Sequence, residues 1–372
     1  MRILHFSDTH LGFQAFDQVT TDGINAREQD VYDAFRYVID QALDLKPDLI
    51  IHSGDFFHRP SPSNRALTFA LEQLSRLCQA NIPIVLIAGN HETPKTIYTS
   101  PILKAFRSLA CVHPFFGDTW ECFELGDLAI HGVPHINDTR KLNQELDRME
   151  PQKDKFNVLL LHTSLGKRFL MEEYGEQVFP AAFEIKLKQF QYVALGHWHD
   201  YQSVDLHPNA WYSGSTERFS DTEHESTKGF ILLDSSNGAH QFHGIPTRSW
   251  LKLELKKCHD LQVDEILQHL ADFGIKNKTQ GAIVSVNLLD IRLEQSLEIS
   301  NKTIREHLPD CFHLIPRRKI WSKERIAGSM TDANFDKLDS LFFQYISEKY
   351  KDDESTAKAL QDKAAYYFRS LE

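Results

Sequence analysis

The stretch Arg2-Ile-Leu-His-Phe-Ser-Asp-Thr-His10 decides how this chain is interpreted. Its apolar first half predicts a buried β-strand that ends near Ser7, and Asp8 and His10 follow in the loop that leaves the strand. Because Asp8 and His10 stand two positions apart in that loop, both side chains can turn toward one cation. The stretch therefore predicts a layered α/β fold with a metal site at the end of its first strand.

Four further polar clusters repeat this arrangement along the first 200 residues. Each follows a short apolar run that predicts another buried strand, at 48–52, 83–88, 157–161 and 192–195. The clusters are Gly54-Asp55, Gly89-Asn90-His91-Glu92, His162 and Gly196-His197-Trp198-His199. Glycine precedes a polar residue in three of them, as expected where a tight turn leaves no room for a Cβ atom.

The contents of these clusters predict a site for two ions. The Asp55 carboxylate has two oxygens and can bridge both ions. The remaining ligands of the first ion are then Asp8, His10 and His199, and those of the second are Asn90, His162 and His197. Mixed oxygen and nitrogen ligands suit Mn, Fe or Zn better than Mg. Two ions about 3.5–4 Å apart clamp a phosphate and activate a bound water, so the predicted reaction is phosphoester hydrolysis.

Two further histidines are candidate catalytic groups. His91 directly follows the predicted ligand Asn90, so its ring points elsewhere and is free to stabilise the transition state or protonate the leaving oxygen. His58 follows Asp55 by three residues and is expected to orient the substrate or support His91. Other histidines stand outside the pattern and are interpreted as core residues; they are His5, His52, His113, His131 and His135.

The length of 372 residues predicts more than one unit. Helices are predicted at 26–45 and 63–80, and a hairpin over 230–245 closes the first domain, 1–247. Alternating strand and helix patterns predict a small α/β domain at 248–320. Residues 330–372 are predicted to be helical, with one apolar stripe formed by Phe335, Leu338, Leu341, Phe342, Tyr345 and Ile346.

Charge and cysteine content bear on the partners, the redox state and the cellular location to be expected. The formal net charge of −11 argues against a nucleic-acid binder that works alone, because Lys and Arg supply most affinity for phosphates. Five scattered cysteines without a C-x-x-C motif predict reduced thiols. No signal sequence or apolar run of membrane-spanning length is found, so we expect a cytoplasmic protein with no membrane association.

The five clusters together resemble the calcineurin-like metallophosphoesterase superfamily. Within it, four segments resemble break-repair nucleases of the SbcD type, and the likeness covers roughly the first 250 residues. The segments are Ser7-Asp-Thr-His-Leu-Gly12, His52-Ser-Gly-Asp-Phe-Phe-His58, Ala194-Leu-Gly-His-Trp-His199 and Tyr212-Ser-Gly-Ser-Thr-Glu-Arg218. The resemblance implies a four-layer β-sandwich flanked by helices, a capping domain that binds DNA, and C-terminal helices.

The same resemblance implies an activity and partners. The expected enzyme is a Mn-dependent double-strand 3′–5′ exonuclease and single-strand or hairpin endonuclease, working in DNA replication, recombination and repair. It implies a homodimer within a heterotetramer, with an SbcC-type ATPase bound by the C-terminal segment. No G-x-x-x-x-G-K-[ST] motif occurs in the sequence, so ATP is expected on the partner. Candidate DNA contacts around the site are Arg59, Lys95, Lys167, Arg168 and Arg218.

Two alternatives remain open. The same metal site serves cyclic-nucleotide or other small-substrate phosphodiesterases and phosphomonoesterases, although His58 and the long C-terminal extension are unnecessary for a small substrate. A scaffold that kept the fold and lost the chemistry is the other alternative. All seven predicted ligand positions are filled, which argues against it.

Overall fold

The computed structural model describes residues 1–96, 98–166 and 178–321, and isolated residues between Ile346 and Ala364. The first sheet has six strands in the order β12-β11-β1-β2-β3-β4. Their bounds are β1 Arg2–Phe6, β2 Leu49–His52, β3 Ile84–Ile87, β4 Val112–Phe115, β11 Gly229–Asp234 and β12 His240–Gly244. β1 to β4 are parallel to each other, so their carboxyl ends meet at one edge of the sheet.

The second sheet also has six strands, in the order β5-β6-β7-β8-β10-β9. Their bounds are β5 Glu121–Leu125, β6 Leu128–Val133, β7 Phe156–His162, β8 Tyr192–Gly196, β9 Gln202–Ser203 and β10 Ala210–Tyr212. The strands from β6 to β8 and β10 run parallel, while β5 and β9 are antiparallel at the two edges. The hairpin predicted over 230–245 is present in the first sheet as β11 and β12.

The two sheets pack face to face and helices cover their outer faces. Side chains such as Ile51 of β2 and Leu160 of β7 meet in an apolar layer between the sheets. Helices α1 Ala26–Leu45 and α2 Asn64–Gln79 pack on the first sheet, and α3 Thr139–Arg148 and α4 Glu184–Leu187 pack on the second. The predicted α/β sandwich of four layers, helix, sheet, sheet and helix, is therefore confirmed.

Capping residues explain where the long helices begin and end. The Asn25 side chain accepts hydrogen bonds from the backbone N–H groups of Arg27 and Glu28 at the start of α1. Lys46 ends α1 in the left-handed conformation, with its N–H bonded to the Ala42 carbonyl. Ser63 caps α2 in the same way as Asn25 caps α1. Both helices had been predicted from the spacing of their apolar residues, and the caps define where they begin and end.

A third sheet follows the sandwich, in the order β13-β14-β15 with all strands parallel. Its elements are β13 Trp250–Leu255, α5 Val263–Lys276, β14 Ile283–Ile291, α6 Leu293–Glu298, α7 Asn301–His307 and β15 His313–Ile320. They enclose an apolar core of their own. Arg248 joins this unit to α1, with both guanidinium contacts to the Asp30 carboxylate at 2.7 Å.

The structure bears on two further predictions, those for the cysteines and for the C-terminal apolar stripe. The prediction that the thiols are all reduced is wrong for Cys78 and Cys111, which form a disulfide. The residues are 33 positions apart, and only the parallel packing of β3 and β4 brings the end of α2 beside Cys111. Of the C-terminal stripe, only Ile346 lies within the described residues, where it is helical and buried. None of the helices in the described part of the chain has both the length and the apolar composition of a membrane span.

Candidate metal centre

The loops that leave the parallel strands carry the predicted site residues, and their backbone is unusual. Asp8, His10, Asp55 and His197 all have positive φ, between 48° and 99°. This left-handed region is uncommon outside glycine, although Asp and His are enriched there. Backbone hydrogen bonds of 3.0 Å hold the loops together, from Asp8 N–H to the Gly54 carbonyl and from His10 N–H to the Asp55 carbonyl. The β1 and β2 loops therefore hold each other in position.

Two glycines allow the loops to approach more closely than other residues would. A Cβ atom on Gly89 would lie 2.2 Å from Asp55 Oδ1, and one on Gly54 would lie 2.3 Å from His162 Nδ1. Neither neighbour can move without leaving the site, because both belong to the predicted ligand set. The glycines before Asp55 and Asn90 are thus required by close approach, as the sequence predicted.

Asp8, His10 and His199 form the first group of candidate ligands, with ligand atoms that all lie within 4.8 Å of one another. His10 Nε2 and His199 Nε2 are 3.3 Å apart, and Asp8 Oδ1 is 3.9 Å from His199 Nε2. Two nitrogens bound at about 2.0–2.1 Å to one tetrahedral ion would lie about 3.3 Å apart. The spacing of this part-buried pair of nitrogens therefore fits a shared divalent cation.

The second group contains Asp8, Asp55 and His162. His162 Nε2 lies 3.2 Å from Asp55 Oδ2 and 3.0 Å from Asn90 Oδ1. His162 Nδ1 is 2.9 Å from the Ser53 carbonyl and must donate to it, so its Nε2 faces Asp55 and Asn90. Asp55 Oδ2 is also 3.7 Å from His10 Nε2. Asp55 therefore lies between the two groups, where a bridging ligand is needed.

His197 completes the set of seven predicted ligands at this edge. Its ring centroid lies 5.3 Å from that of His162. Its backbone N–H donates to both carboxylate oxygens of Asp8 at 3.0 Å. The structure thus brings together all seven residues that the sequence singled out. Their roles as ligands stay predictions.

The charges around Asp55 and His10 favour the protonation states in which each can bind a metal ion, a charged carboxylate and a neutral ring. Burial opposes the charge on Asp55, but the neighbouring His162, His10 and His91 hold its pKa well below the ordinary value. Burial lowers the pKa of His10 well below 6.5, so its ring is neutral and has a lone pair. Burial also disfavours charge on His162, yet Asp55 and Asp8 raise its pKa to about 10. A cation here would replace that proton as the counter-charge of the two carboxylates.

The two candidate catalytic histidines lie beside these groups. His91 Nδ1 donates to the His58 backbone carbonyl at 3.0 Å, and its Nε2 is 3.9 Å from Asp55 Oδ2. The His91 side chain is 37% exposed, so the ring lies partly open to solvent beside the predicted ligands. The ring of His58 lies 5.1 Å from that of His91. His58 therefore orients His91 through its backbone carbonyl, an atom that no sequence motif points to.

The candidate DNA contacts have different surroundings. Arg59 and Lys95 are exposed, and Lys95 Nζ donates to the Asn90 carbonyl at 3.0 Å. Arg218 is half-buried, and its guanidinium donates to the carbonyls of Glu223, Ser226 and Arg248. That set of bonds is typical of a structural arginine. Lys167 and Arg168 lie outside the described residues. DNA contact by any of the five stays a prediction.

The histidines interpreted as core residues are largely buried and bonded within the protein. His5 is 2.9 Å from Ser53 Oγ, His52 is 2.6 Å from Thr9 Oγ1, and His131 is 2.9 Å from Asn157 Oδ1. All three are fully buried. His113 and His135 are only half-buried.

Sequence reasoning missed three buried residues that support the ligands. Glu223 Oε1 accepts from His199 Nδ1 at 3.1 Å, which leaves the Nε2 lone pair of His199 facing Asp8 and His10. Lys228 is fully buried, pairs with the other Glu223 oxygen and donates to the His199 carbonyl at 2.8 Å. Glu92 Oε1 accepts from the backbone N–H groups of Phe56 and Gly89 at 3.1 Å, which ties the second and third loops together. Glu92 belongs to the cluster Gly89-Asn90-His91-Glu92, but no role was predicted for it.

Comparisons with known proteins agree with this geometry. The family model described as calcineurin-like phosphoesterase matches residues 1–201. The chain is 28% identical to the DNA double-strand break repair protein Mre11 of Sulfurisphaera tokodaii, over 97% of this chain and 92% of the relative. It is 29% identical to the Mre11 protein of Thermoplasma acidophilum, over 80% of each chain. The matched range contains all seven predicted ligands. The chain therefore belongs to the calcineurin-like phosphoesterase family and is a metal-dependent hydrolase of phosphoesters.

Proposed function

We propose that this chain is a DNA nuclease that cleaves phosphodiester bonds with the help of two bound divalent ions. Mn2+ is the metal that we propose for both. The observation that carries the proposal is the position of His91. Its Nε2 lies 3.9 Å from Asp55 Oδ2 on a side chain that is 37% exposed, and the His58 carbonyl fixes its orientation. Similarity to Mre11 proteins along 97% of the chain supports DNA as the substrate.

The ligand set defines how a phosphate would be held. Asp8, His10, Asp55 and His199 would hold one ion, and Asp55, Asn90, His162 and His197 the other. The bound ions would supply positive charge at the phosphate and an activated water for attack at phosphorus. His91, when protonated at Nε2, donates that proton to the leaving oxygen while its Nδ1–H remains bonded to the His58 carbonyl. Arg59 and Lys95 would contact the DNA strand at the rim of the site.

The finer aspects of the proposal concern DNA ends and partners. The chain acts as a double-strand 3′–5′ exonuclease and as an endonuclease on single strands and hairpins. It works as a homodimer with an SbcC-type ATPase, which binds the segment 330–372, and the unit 248–320 contacts DNA. With a net charge of −11, the chain needs its ions or that partner to hold a polyanion.

The decisive experiment compares the wild-type protein and His91→Asn on a labelled DNA hairpin and on a cyclic nucleotide, each with and without Mn2+. We expect Mn-dependent cleavage of the hairpin, a loss of about 100- to 10,000-fold in the variant, and unchanged binding of two ions by calorimetry. Cleavage of the cyclic nucleotide alone would favour the small-substrate phosphodiesterase. Loss of an ion in the variant would make His91 a ligand.

Deletion of 331–372 tests the partner. The truncated chain should retain Mn-dependent cleavage of single strands and lose both co-purification with the ATPase and ATP-dependent cleavage of duplexes. Recovery of the ATPase at the wild-type yield would contradict the docking role. Loss of solubility together with all activity would instead place the apolar stripe in the core of this chain.

A further inference from the structure

Three histidines at the edge of the predicted metal centre form a further group of possible ligands. His10, His58 and His91 each bring one ring nitrogen to within 4.8 Å of the other two. The ring centroids of His10 and His91 are 4.7 Å apart, and those of His58 and His91 are 5.1 Å apart. Because two nitrogens on one tetrahedral ion lie about 3.3 Å apart, no pair has to close by more than about 1.5 Å to share a cation.

Two of the three rings have room for that adjustment. His10 is 3% exposed and is held in the buried part of the cluster. His58 and His91 are only half-buried. Among the described residues, His58 Nδ1 has no hydrogen-bond partner, so no bond at that nitrogen resists a small rotation of the ring. The group therefore combines one fixed histidine with two that can turn toward an ion.

His91 already has the surroundings of a metal-binding histidine. Its Nδ1 donates to the His58 backbone carbonyl at 3.0 Å. A ligand histidine ordinarily donates its second N–H in this way, which fixes the ring and makes the other nitrogen more basic. With the proton on Nδ1, the lone pair of the neutral ring is on Nε2. The bond that orients His91 for proton transfer thus also prepares it to bind a cation.

The chemistry of the group selects the cation. Imidazole nitrogens suit Zn2+, whereas carboxylate and carbonyl oxygens suit Mg2+ and Mn2+. Three histidines with one position left open are an established arrangement for zinc. Asp55 Oδ2 lies 3.7 Å from His10 Nε2 and 3.9 Å from His91 Nε2, where its charge stabilises a cation. We propose that His10, His58 and His91 bind Zn2+, and that zinc bound there inhibits the enzyme.

Inhibition follows from two residues that the zinc site shares with the proposed reaction. A neutral imidazole has one lone pair, so His10 cannot bind Zn2+ and the first predicted ion at the same time. Zinc on His91 Nε2 occupies the nitrogen that would carry the proton to the leaving oxygen. The zinc site itself rests on the three rings, and only its inhibitory effect rests on the proposed nuclease function.

Metal competition tests the site without DNA. The full-length protein is loaded with Mn2+, Zn2+ is added, and the Mn2+ released is measured by electron paramagnetic resonance. The wild type is compared with His58→Phe, which keeps an aromatic ring against His10 and removes both ring nitrogens. His58 is not one of the seven predicted ligands, so Zn2+ that merely replaced Mn2+ among those ligands would release it equally from both proteins. We expect the variant to need more Zn2+, by at least the roughly 10- to 100-fold that an outer partner of a ligand contributes.

X-ray absorption at the zinc edge counts the ligands directly. With one Zn2+ per Mn2+-loaded protein, we expect three imidazoles on zinc in the wild type and two in His58→Phe. His269→Gln removes an exposed histidine of α5 and should match the wild type in both measurements. If His58→Phe does not fold, His91→Asn should show the same shift in Mn2+ release. Equal release curves for the wild type and these variants, or two imidazoles on zinc in the wild type, would overturn the zinc site.

A cleavage assay separates the site from its effect. Zinc at the concentration that releases Mn2+ from the wild type should stop cleavage of the labelled hairpin. His58→Phe, whatever its rate without zinc, should lose the same fraction of that rate only at a correspondingly higher zinc concentration. Full cleavage by wild-type protein that has three imidazoles on zinc would overturn the inhibition alone. Absence of any DNA cleavage without zinc would overturn the nuclease function and the inhibition, while the binding measurements would still decide the site.

Discussion

His162 and His199 lie at opposite ends of the predicted ligand set, and different contacts hold each ring in place. At one end, His162 Nδ1 donates to a backbone carbonyl, that of Ser53, which follows β2 directly. At the other end, His199 Nδ1 donates to a side chain, the carboxylate of Glu223. Glu223 lies in a 3-10 turn, Asp221–Glu223, and depends on buried Lys228 for its own counter-charge. The His162 end is therefore fixed by the sheet, and the His199 end by a network of charged side chains.

This difference determines which parts of the chain influence each ion. The His162 end depends only on elements of the two packed sheets. The His199 end also reaches the third sheet, because Asp221 of the same 3-10 turn pairs with Arg317 of β15. A change in how the third sheet packs would therefore alter the position of His199 before that of His162. Substitutions at each end can test this asymmetry.

The largest effect is expected at the residue common to both ends. Asp55→Asn removes the carboxylate charge that two dications are predicted to share, so both ions should be lost or bound far more weakly, and turnover should fall by about a thousandfold or more. Calorimetric titration with Mn2+ measures the ions directly, with Asp44→Asn on the exposed face of α1 as the control. Full occupancy of one ion in Asp55→Asn would show that the carboxylate does not bridge.

Glu223→Gln should separate the two ends. The amide retains an acceptor for His199 Nδ1 but removes the charge that stabilises the ligand and pairs with Lys228. We expect one of the two ions to bind about 10- to 100-fold more weakly and the other to be unchanged. Titration with Co2+, followed by its visible absorption, distinguishes the two sites. Glu225→Gln is the matched control, because that side chain is 90% exposed. Equal weakening of both ions would contradict the asymmetry.

Arg317→Ala tests the connection to the third sheet. The Arg317 side chain is 55% exposed, and pairs of this kind contribute about 0.2–1 kcal/mol. Affinity for the ion near His199 should therefore fall by less than about fivefold, and only for that ion. Lys319→Ala, an exposed cation on the same strand, is the control. An identical result for both variants would mean that β15 and His199 are not coupled.

Ser53→Ala should have the smallest effect on the ions. The substitution keeps the carbonyl that orients His162 and removes only the hydroxyl, which bonds to His5 at 2.9 Å. We expect unchanged affinity for both ions and a loss of about 1 kcal/mol in the free energy of unfolding, measured by denaturant titration. A clear loss of ion affinity would show that the His162 end also depends on side chains.

The sequence predicted the parts of this site that follow from strand ends. Parallel strands place the residues after their carboxyl termini at one edge, so the order of apolar runs and polar clusters was enough to assign Asp8, Asp55 and Asn90 to one site. Helix α1 was predicted with the bounds that the structure shows, because the spacing of its apolar residues along one face is a local signal.

The remaining parts depend on contacts that no local pattern reveals. Glu223 follows His199 by 24 residues and sits in a turn without a motif, so nothing marked it as the partner of His199 Nδ1. The Cys78–Cys111 pair joins two segments that meet only through the crossover between β3 and β4. The role of the His58 carbonyl was also hidden, since a backbone atom has no residue type. Each omission is a tertiary contact between distant segments.

The position of β1 has a consequence for how the protein is made. β1 lies between β2 and β11, and 223 positions separate Phe6 from Gly229. At a synthesis rate of about 5–20 residues per second, β1 waits about 10–45 s for its second neighbour to leave the ribosome. For most of that interval the nascent chain lacks His199, and it lacks Glu223 until shortly before β11 is made. The enzyme therefore completes its predicted ligand set only late in translation, which delays any cleavage of nucleic acid while the chain is still attached to the ribosome.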